Sequence, residues 1–348
     1  GAMPVPGFDG PQFDADDTGG NPTDARVVAL AGGGFVVGWS GFAAGDADGG
    51  RSAHVRIYDA ARAPEGPGIL VATDPEDADA LAGLVALPGG GFAAVYTAGP
   101  LSGGPGGEDR VRIFDADGVP VGAEAAIPRP DFGGVSAVAA FPSGDVAVLQ
   151  STPSGAATLT VIDGATGAVS LDRAAVAGAF GGAAPGDVAA TGRAGEIVAL
   201  AEAPGDSPTT EDLRLTGLDA AGAETVSVTG LDEVEGGVGT AAVTRLSDGR
   251  LAVVRYAAGA LSAVFVTAEG VAGDPVALGD VGGPGASLGD VAPDGAGGFA
   301  VILSVPDDES GAPRLLGVKV TAEGVVEGSF AVDATPEGSQ LRPQAAYL

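Results

Sequence analysis

The 348-residue chain contains no cysteine, and lysine, histidine, tryptophan and methionine occur once each. Without cysteine there is no disulfide, no zinc–thiolate site and no cysteine nucleophile. The absence does not identify a compartment, because some secreted bacterial proteins avoid the residue. A single histidine, His54, leaves no Ser-His-Asp triad that does not depend on it. His54 precedes the segment "VRIYDA" and is expected at a surface or rim rather than in catalysis. No P-loop, dinucleotide fingerprint or H-E-x-x-H occurs. No apolar run approaches the roughly 18 residues of a membrane helix. No signal peptide is visible, but Gly1 to Met3 read as the scar of an expression tag, so that observation says nothing about secretion.

Positive charge is also scarce. Sixteen Lys and Arg face 46 Asp and Glu, a formal net charge of −30. Such a surface repels nucleic acids and anionic membranes, since phosphate binding needs Lys and Arg to displace counterions. It attracts divalent cations and basic partners. Its plain reading is solvation in salty surroundings.

Glycine and proline are abundant, 62 and 25 residues. That share alone suggests disorder. The apolar runs between the Gly/Pro clusters are regular and β-branched, so the clusters read as turn punctuation. Residues 29–41, "ALAGGGFVVGWSG", return as "ALPGGGFAAVYT" at 86–97. The same Gly-then-apolar phrase recurs at 143–150, 194–201, 248–256 and 297–304. Its first large residues are Phe35, Phe92, Val146, Ile197, Leu251 and Phe299, spaced by 57, 54, 51, 54 and 48. A second phrase runs in step and ends at Asp59, Asp115, Asp163, Asp219, Thr267 and Thr321. With an apolar run before the first phrase and another after the second, each repeat holds four short strands.

The turns agree. Gly-rich dipeptides between apolar runs are hairpin signals, because glycine takes positive φ without steric cost. "DADG" at 115–118 and "TAEG" at 267–270 and 321–324 fit turns closed by glycine. The second strand of each repeat is apolar at nearly every position, which implies burial on both faces. The third strand keeps polar residues such as Arg56 and Arg112. Helix-period segments are almost absent. Four strands in about 50 residues make one blade of a β-propeller. A unit of a β-sandwich array would be longer and a β-helix coil shorter.

The expected fold is therefore all-β, a propeller of about six four-stranded blades in a single domain over 4–348, with repeats at 24–80, 81–134, 135–186, 187–239, 240–289 and 290–341. Both ends carry the same part of the repeat, a fourth strand followed by a first, one copy being spare for closure or left as an overhang. Seven blades, the last incomplete, is the alternative. The longest connections, 41–53 and 97–109, join second to third strands and are expected on one face.

The pattern from Ala29 to Trp39, with Val55 to Ala60 and Val111 to Gly122, resembles repeats of large secreted bacterial proteins of the RTX and adhesin type. The resemblance is close only in the first two repeats. It implies an extracellular or cell-surface location, often within a much longer polypeptide, and it transfers no catalytic residue. The calcium nonapeptide array of that family is not present: "GGPGGED" at 103–109 and "GGPGAS" at 282–287 are isolated and lack the required aspartate.

Acidic clusters at 14–17, 46–49, 74–79, 108–109, 232–235 and 307–309 offer carboxylates for a hard cation such as Ca²⁺, which takes six to eight oxygens. Asp46 and Asp48, beside Gly49, form a partial D-x-D-G calcium loop, but position 57 is Ile57 where a closing Glu would stand. The alternative is solvated acidic loops. Trp39, Tyr96 and Tyr256 share one place in their repeats and are expected to pack between blades rather than to stack on sugars. Arg56 and Arg112 are also equivalent, with pairing to neighbouring acids expected ahead of an anionic ligand.

No catalytic or organic-cofactor residue is assigned, and the ligand-binding residues are not identified. The leading function is a non-catalytic binding or scaffold module for a glycan, protein or cell-surface ligand, with Ca²⁺ as an ordering ion. A carboxylate-based extracellular glycosidase or lyase, and a spacer in a larger polypeptide, are the alternatives.

Overall fold

A computed structural model describes residues 22–42, 51–72, 79–99, 107–129, 133–152, 156–176, 188–193, 195–204, 210–231, 234–235, 240–283, 285–306, 313–332 and 345–346. Among these there is no helix. The first sheet holds β1 (Thr23–Ala29), β2 (Phe35–Phe42), β3 (Arg51–Tyr58) and β4 (Ile69–Leu70). The second holds β5 (Ala80–Ala86), β6 (Phe92–Ala98), β7 (Glu108–Phe114) and β8 (Pro120–Pro128). The third holds β9 (Gly134–Ala140), β10 (Val146–Ser151), β11 (Ala157–Ile162) and β12 (Val169–Ala175). The fourth holds β13 (Val188–Arg193), β14 (Glu196–Pro204), β15 (Thr210–Asp219) and β16 (Glu224–Val228), with β17 (Val234–Glu235) added to the start of β15. The fifth holds β18 (Thr240–Arg245), β19 (Leu251–Ala257), β20 (Ala260–Val266) and β21 (Val276–Asp280), and the sixth β22 (Ser287–Pro293), β23 (Phe299–Pro306), β24 (Pro313–Val320) and β25 (Val326–Ala331). Each sheet pairs its four strands in chain order, all antiparallel. These are the six four-stranded blades of a β-propeller, as the repeat predicts.

Two compact units hold them. Residues 15–204 and 214–229 carry the first four sheets; residues 205–213 and 230–347 carry the last two and the pairing of β17 with Thr210 and Glu211. In the larger unit the first strands of successive sheets pack side by side, β1 on β5, β5 on β9 and β9 on β13; in the smaller, β18 packs on β22.

The uninterrupted apolar second strands now have a physical reason. Side chains alternate across a strand, so each residue of a doubly covered strand enters one of two seams. Along β10, Val146 and Val148 meet Val111, Ile113 and Ile127 of the second sheet. Ala147 and Leu149 meet Ile197, Ala199 and Leu218 of the fourth. Between the first two sheets Val36, Val55 and Ile57 pack with Leu81, Phe92 and Phe114. In the smaller unit Val254 and Leu261 pack with Phe299, Val301 and Val318. The fourth strands are covered on one side only, and β25 alternates between half-buried and exposed.

The repeated turns are built as their residues require. In the first, the Leu30 carbonyl accepts from Gly33 N–H (3.0 Å) and Leu30 N–H donates to Gly34 O (2.8 Å), with Gly33 at φ 91°. The glycine after it is needed for a different reason. A Cβ on Gly34 would sit 2.4 Å from Tyr58 O, and one on Gly91 2.2 Å from Phe114 O, both backbone atoms at the end of the third strand. The triplet Gly89–Gly90–Gly91 therefore holds three unequal demands. Gly91→Ala is expected to destabilise by about 1–3 kcal/mol, as overpacking against backbone does. Gly89→Ala, with open space around it, is expected to stay within about 0.5 kcal/mol of wild type. Urea unfolding of the two variants checks the contrast.

The second phrase closes differently. Asp115 Oδ1 accepts from the N–H groups of Asp117 (3.0 Å) and Val119 (2.8 Å), and Asp219 Oδ1 from those of Ala221 and Ala223. Thr321 Oγ1 takes the same place with Glu323 and Val325. The recurring Asp or Thr is thus a turn cap, a side-chain acceptor for backbone donors that the strands leave over.

Every sheet draws its strands from one continuous stretch, so no end is lent to another sheet among the described residues. The N-terminal segment expected to supply a spare fourth strand lies outside them. Of the C-terminal one, Ala345 is described, and its N–H donates to Asp290 Oδ2 on β22 (2.8 Å).

Candidate functional site

Within each sheet the two ends are unlike. The first-to-second and third-to-fourth turns share one end; in the first and fifth sheets the chain folds back at the bridges Tyr58–Pro64 and Val266–Ala272 before the fourth strand begins at Ile69 and Val276. The second-to-third connections leave the other. Their widest intervals are 43–50 and 99–107, in the first and second sheets. Both leave the end opposite the Gly turns, as expected. Asp46 and Asp48, the calcium candidates, lie outside the described residues. Among the described residues no group of three His, Cys, Asp or Glu is placed to hold a metal ion.

At this end the seam between the second and third sheets changes character. Its apolar rows stop, and five polar side chains follow in the same phase: Thr97 after Val95, Asp109 before Val111, Arg129 after Ile127, Gln150 after Val148, and Thr158 before Thr160. Asp109 is 0% exposed and Gln150 1%. Asp109 accepts from Gln150 Nε2 (2.7 Å) through Oδ2 and from Thr97 Oγ1 (3.0 Å) through Oδ1. Arg129 Nε lies 3.7 Å from Asp109 Oδ1. Burial pushes the Asp109 carboxyl above the usual carboxylate range, while the bonds from Gln150 and Thr97 and the charge of Arg129 pull it back. Burial wins because removing a carboxylate from water costs more than these partners restore.

The same residues tie down the feet of the 99–107 connection. Arg129 Nη2 donates to Ala98 O (2.9 Å), where the connection leaves β6. Arg129 N–H donates to Gly107 O (3.2 Å), where it returns. A Cβ on Gly107 would fall 2.1 Å from Arg129 Nη2, so a larger residue here would have to displace the guanidinium.

On the other face of the second sheet Tyr96 Oη donates to Glu124 Oε2 (2.7 Å), and Arg110 bridges Glu124 and Glu108 at 3.3 Å each. Burial, then the bond to Glu124 and its charge, raises the Tyr96 hydroxyl far above the ordinary tyrosine range. Tyr96 is fully buried and packs in the seam with the first sheet, and Tyr256 packs in the fifth–sixth seam. Both sit between blades, as expected. Trp39 is buried and stacks on His54, ring centroids 5.7 Å apart.

His54 corrects the expectation of a surface or rim position. It is 6% exposed, because the N-terminal half of β3 is covered on both sides. Arg56 Nε donates to Gly66 O (2.9 Å) and Arg112 Nη1 to Val71 O (2.7 Å). Each lies over the ring two residues on, Tyr58 or Phe114, at 5.8 and 5.6 Å. For Arg112 a carbonyl and a ring stand where an acidic partner was expected.

The dipeptide at 108–109 stands out in sequence as an acidic cluster, but its partners do not. A signal was available: an acid in phase with Val111 and Ile113 belongs to a buried row, as does Gln150 in phase with Val146 and Val148. What the sequence does not carry is that the two rows meet.

No protein-family model matches the chain, and no curated protein matches it in sequence. Solved structures do. A protein of unknown function from Bacteroides caccae is 14% identical, with 80% of this chain and 89% of that one covered and a TM-score of 0.45. The NanB sialidase from Streptococcus pneumoniae is 10% identical over 93% of this chain and 63% of that one, TM-score 0.46. The SapL1 lectin, solved with alpha methyl fucoside, is 13% identical over 89% and 96%, TM-score 0.48.

Proposed function

We propose that this chain is a non-catalytic binding module of a secreted bacterial protein of the RTX or adhesin type, part of a longer polypeptide. Its ligand is a glycan, or a protein or other component of a cell surface, recognised at the end of the sheets where second strands pass to third. Ca²⁺, held by acidic connections such as that of Asp46 and Asp48, orders that end.

The observation that carries this reading is the inequality of the two ends. One is spent on tight, self-capped turns whose Asp and Thr acceptors are occupied by their own backbone. The other has the long connections, on which recognition residues concentrate in rigid scaffolds. At the feet of one of them sits a buried, hydrogen-bonded polar cluster that holds it in place.

The test is a glycan array probed with the purified chain in millimolar calcium and again with chelator. Selective retention lost with chelator is expected. Retention in both buffers removes Ca²⁺ from the site. No retention in either removes the glycan, leaving a protein partner or a spacer. Turnover of an arrayed glycan replaces the module with a carboxylate-based hydrolase or lyase.

A further inference from the structure

We propose that Asp109 is a proton-operated positioning residue: gain or loss of its proton turns the Gln150 amide over and changes how Arg129 holds the feet of the 99–107 connection. The consequence for ligand rests on the binding-module reading; the switch itself does not.

The geometry supplies two hydrogen-bonding states. An ionised carboxylate only accepts, so in that state the neighbouring Gln150 must present its Nε2, at 2.7 Å. That orientation leaves Gln150 Oε1 buried with no hydrogen-bond partner. Thr158, directly across the β10–β11 pair from Gln150, also has a buried Oγ1 without one. A protonated Asp109 has an O–H to donate, and Gln150 Oε1 is the unfilled acceptor beside it. Turning the amide over meets that O–H and swings Nε2 towards the side where Thr158 Oγ1 is unfilled. The protonated state thus fills an acceptor that the ionised state leaves open.

The charge at stake is a local one. From β6 Asp109 faces Thr97, from β10 Gln150, and from the end of β8 Arg129, the charged partner of the group. Its sequence neighbours Glu108 and Arg110 point to the opposite face and engage each other, Arg110 also reaching Glu124. Protonation removes the carboxylate that Arg129 faces and leaves the guanidinium held by Ala98 O. At the same end of two other seams Ser40 Oγ accepts from Leu81 N–H, and Thr240 Oγ1 from Leu288 N–H, both at 2.8 Å; the first of these seams also buries Asp79. The raised affinity of Asp109 for a proton, from burial, brings the change nearer neutrality.

The experiment is NMR on the full chain with labelled Asp and Gln side chains, titrated from neutral pH into the ordinary carboxylate range. The expected result is one shared midpoint for the Asp109 carboxyl and the Gln150 amide protons, above the ordinary aspartate value. In Asp109→Asn, which has no proton to exchange there, the Gln150 resonances do not titrate. An Asp109 midpoint at or below the ordinary aspartate value, or Gln150 resonances that do not follow it, overturns the switch, and the wild-type titration alone suffices if the variant does not fold. The glycan array repeated at both ends of the pH range tests the output. Retention is expected to change by about fivefold or more in the wild type and to be flat in Asp109→Asn. Equal pH profiles overturn the positioning role. A shared midpoint with no retained glycan at any pH supports the switch and removes the glycan reading.

Discussion

Phe92→Ala is expected to lower the unfolding free energy by about 3–5 kcal/mol, the range for a large buried aromatic cut to a methyl group. Phe92 is 0% exposed and stacks on Phe114 with centroids 4.9 Å apart. It opens β6 just after the Gly91 turn and stands in the seam between the first two sheets, among Val36, Ile57 and Leu81. The loss therefore falls on two blades at once, with a cavity that backbone on both sides keeps from collapsing. Phe265 is the comparison. It is half-buried and meets Phe299 edge-on at 6.1 Å, so Phe265→Ala is expected to cost less. Urea unfolding of both variants decides. A Phe92→Ala midpoint equal to that of Phe265→Ala would contradict the account of the seam.

The second large effect is a pair of opposite results at one place. Gln150→Ala is expected to cost about 1.5–3 kcal/mol at neutral pH, because it takes a donor from a buried carboxylate. Asp109→Asn removes the charge and keeps the shape, and it is expected to leave stability at neutral pH equal or higher, because burial costs the ionised carboxylate more than its partners restore. The pH dependence has a definite sign. The Asp109 carboxyl lies above its ordinary value in the folded protein. Its contribution is then full below the unfolded-state pKa and lost as the pH rises through the folded-state pKa. The stability of the wild type relative to Asp109→Asn should fall with rising pH across that window. Asp163 runs the other way: the hydroxyl and backbone of Thr166 hold its carboxyl low, so what it contributes is lost as the pH falls. Thermal melts of wild type and Asp109→Asn across the pH range give the sign directly. A gap that widens in acid in favour of the variant would reverse it.

Much of this was legible before any coordinates. The strand count, the chain order within blades and the place of every tight turn follow from spacing and glycine, because hairpins are local and their chemistry is written within a few residues. The doubly covered second strands were legible too, since "VAVLQ" has no polar face to offer water. His54 was misread because burial of the N-terminal half of β3 depends on what covers it from elsewhere in the chain. Arg112 was matched with acids on charge alone, and its partner, the carbonyl of Val71, carries no side-chain signature.

The division has one physical cause. What the sequence by itself determined is what acts over a few bonds: which residues form strands, where the chain reverses, and that Asp59, Asp115, Asp163 and Asp219 recur as one element of a turn. What only the tertiary structure decided is which rows meet across a seam. Asp109 and Gln150 are 41 residues apart, and no local rule brings them together. That meeting turns an acidic dipeptide into a buried charge with three partners, and a glutamine into the group that answers its proton.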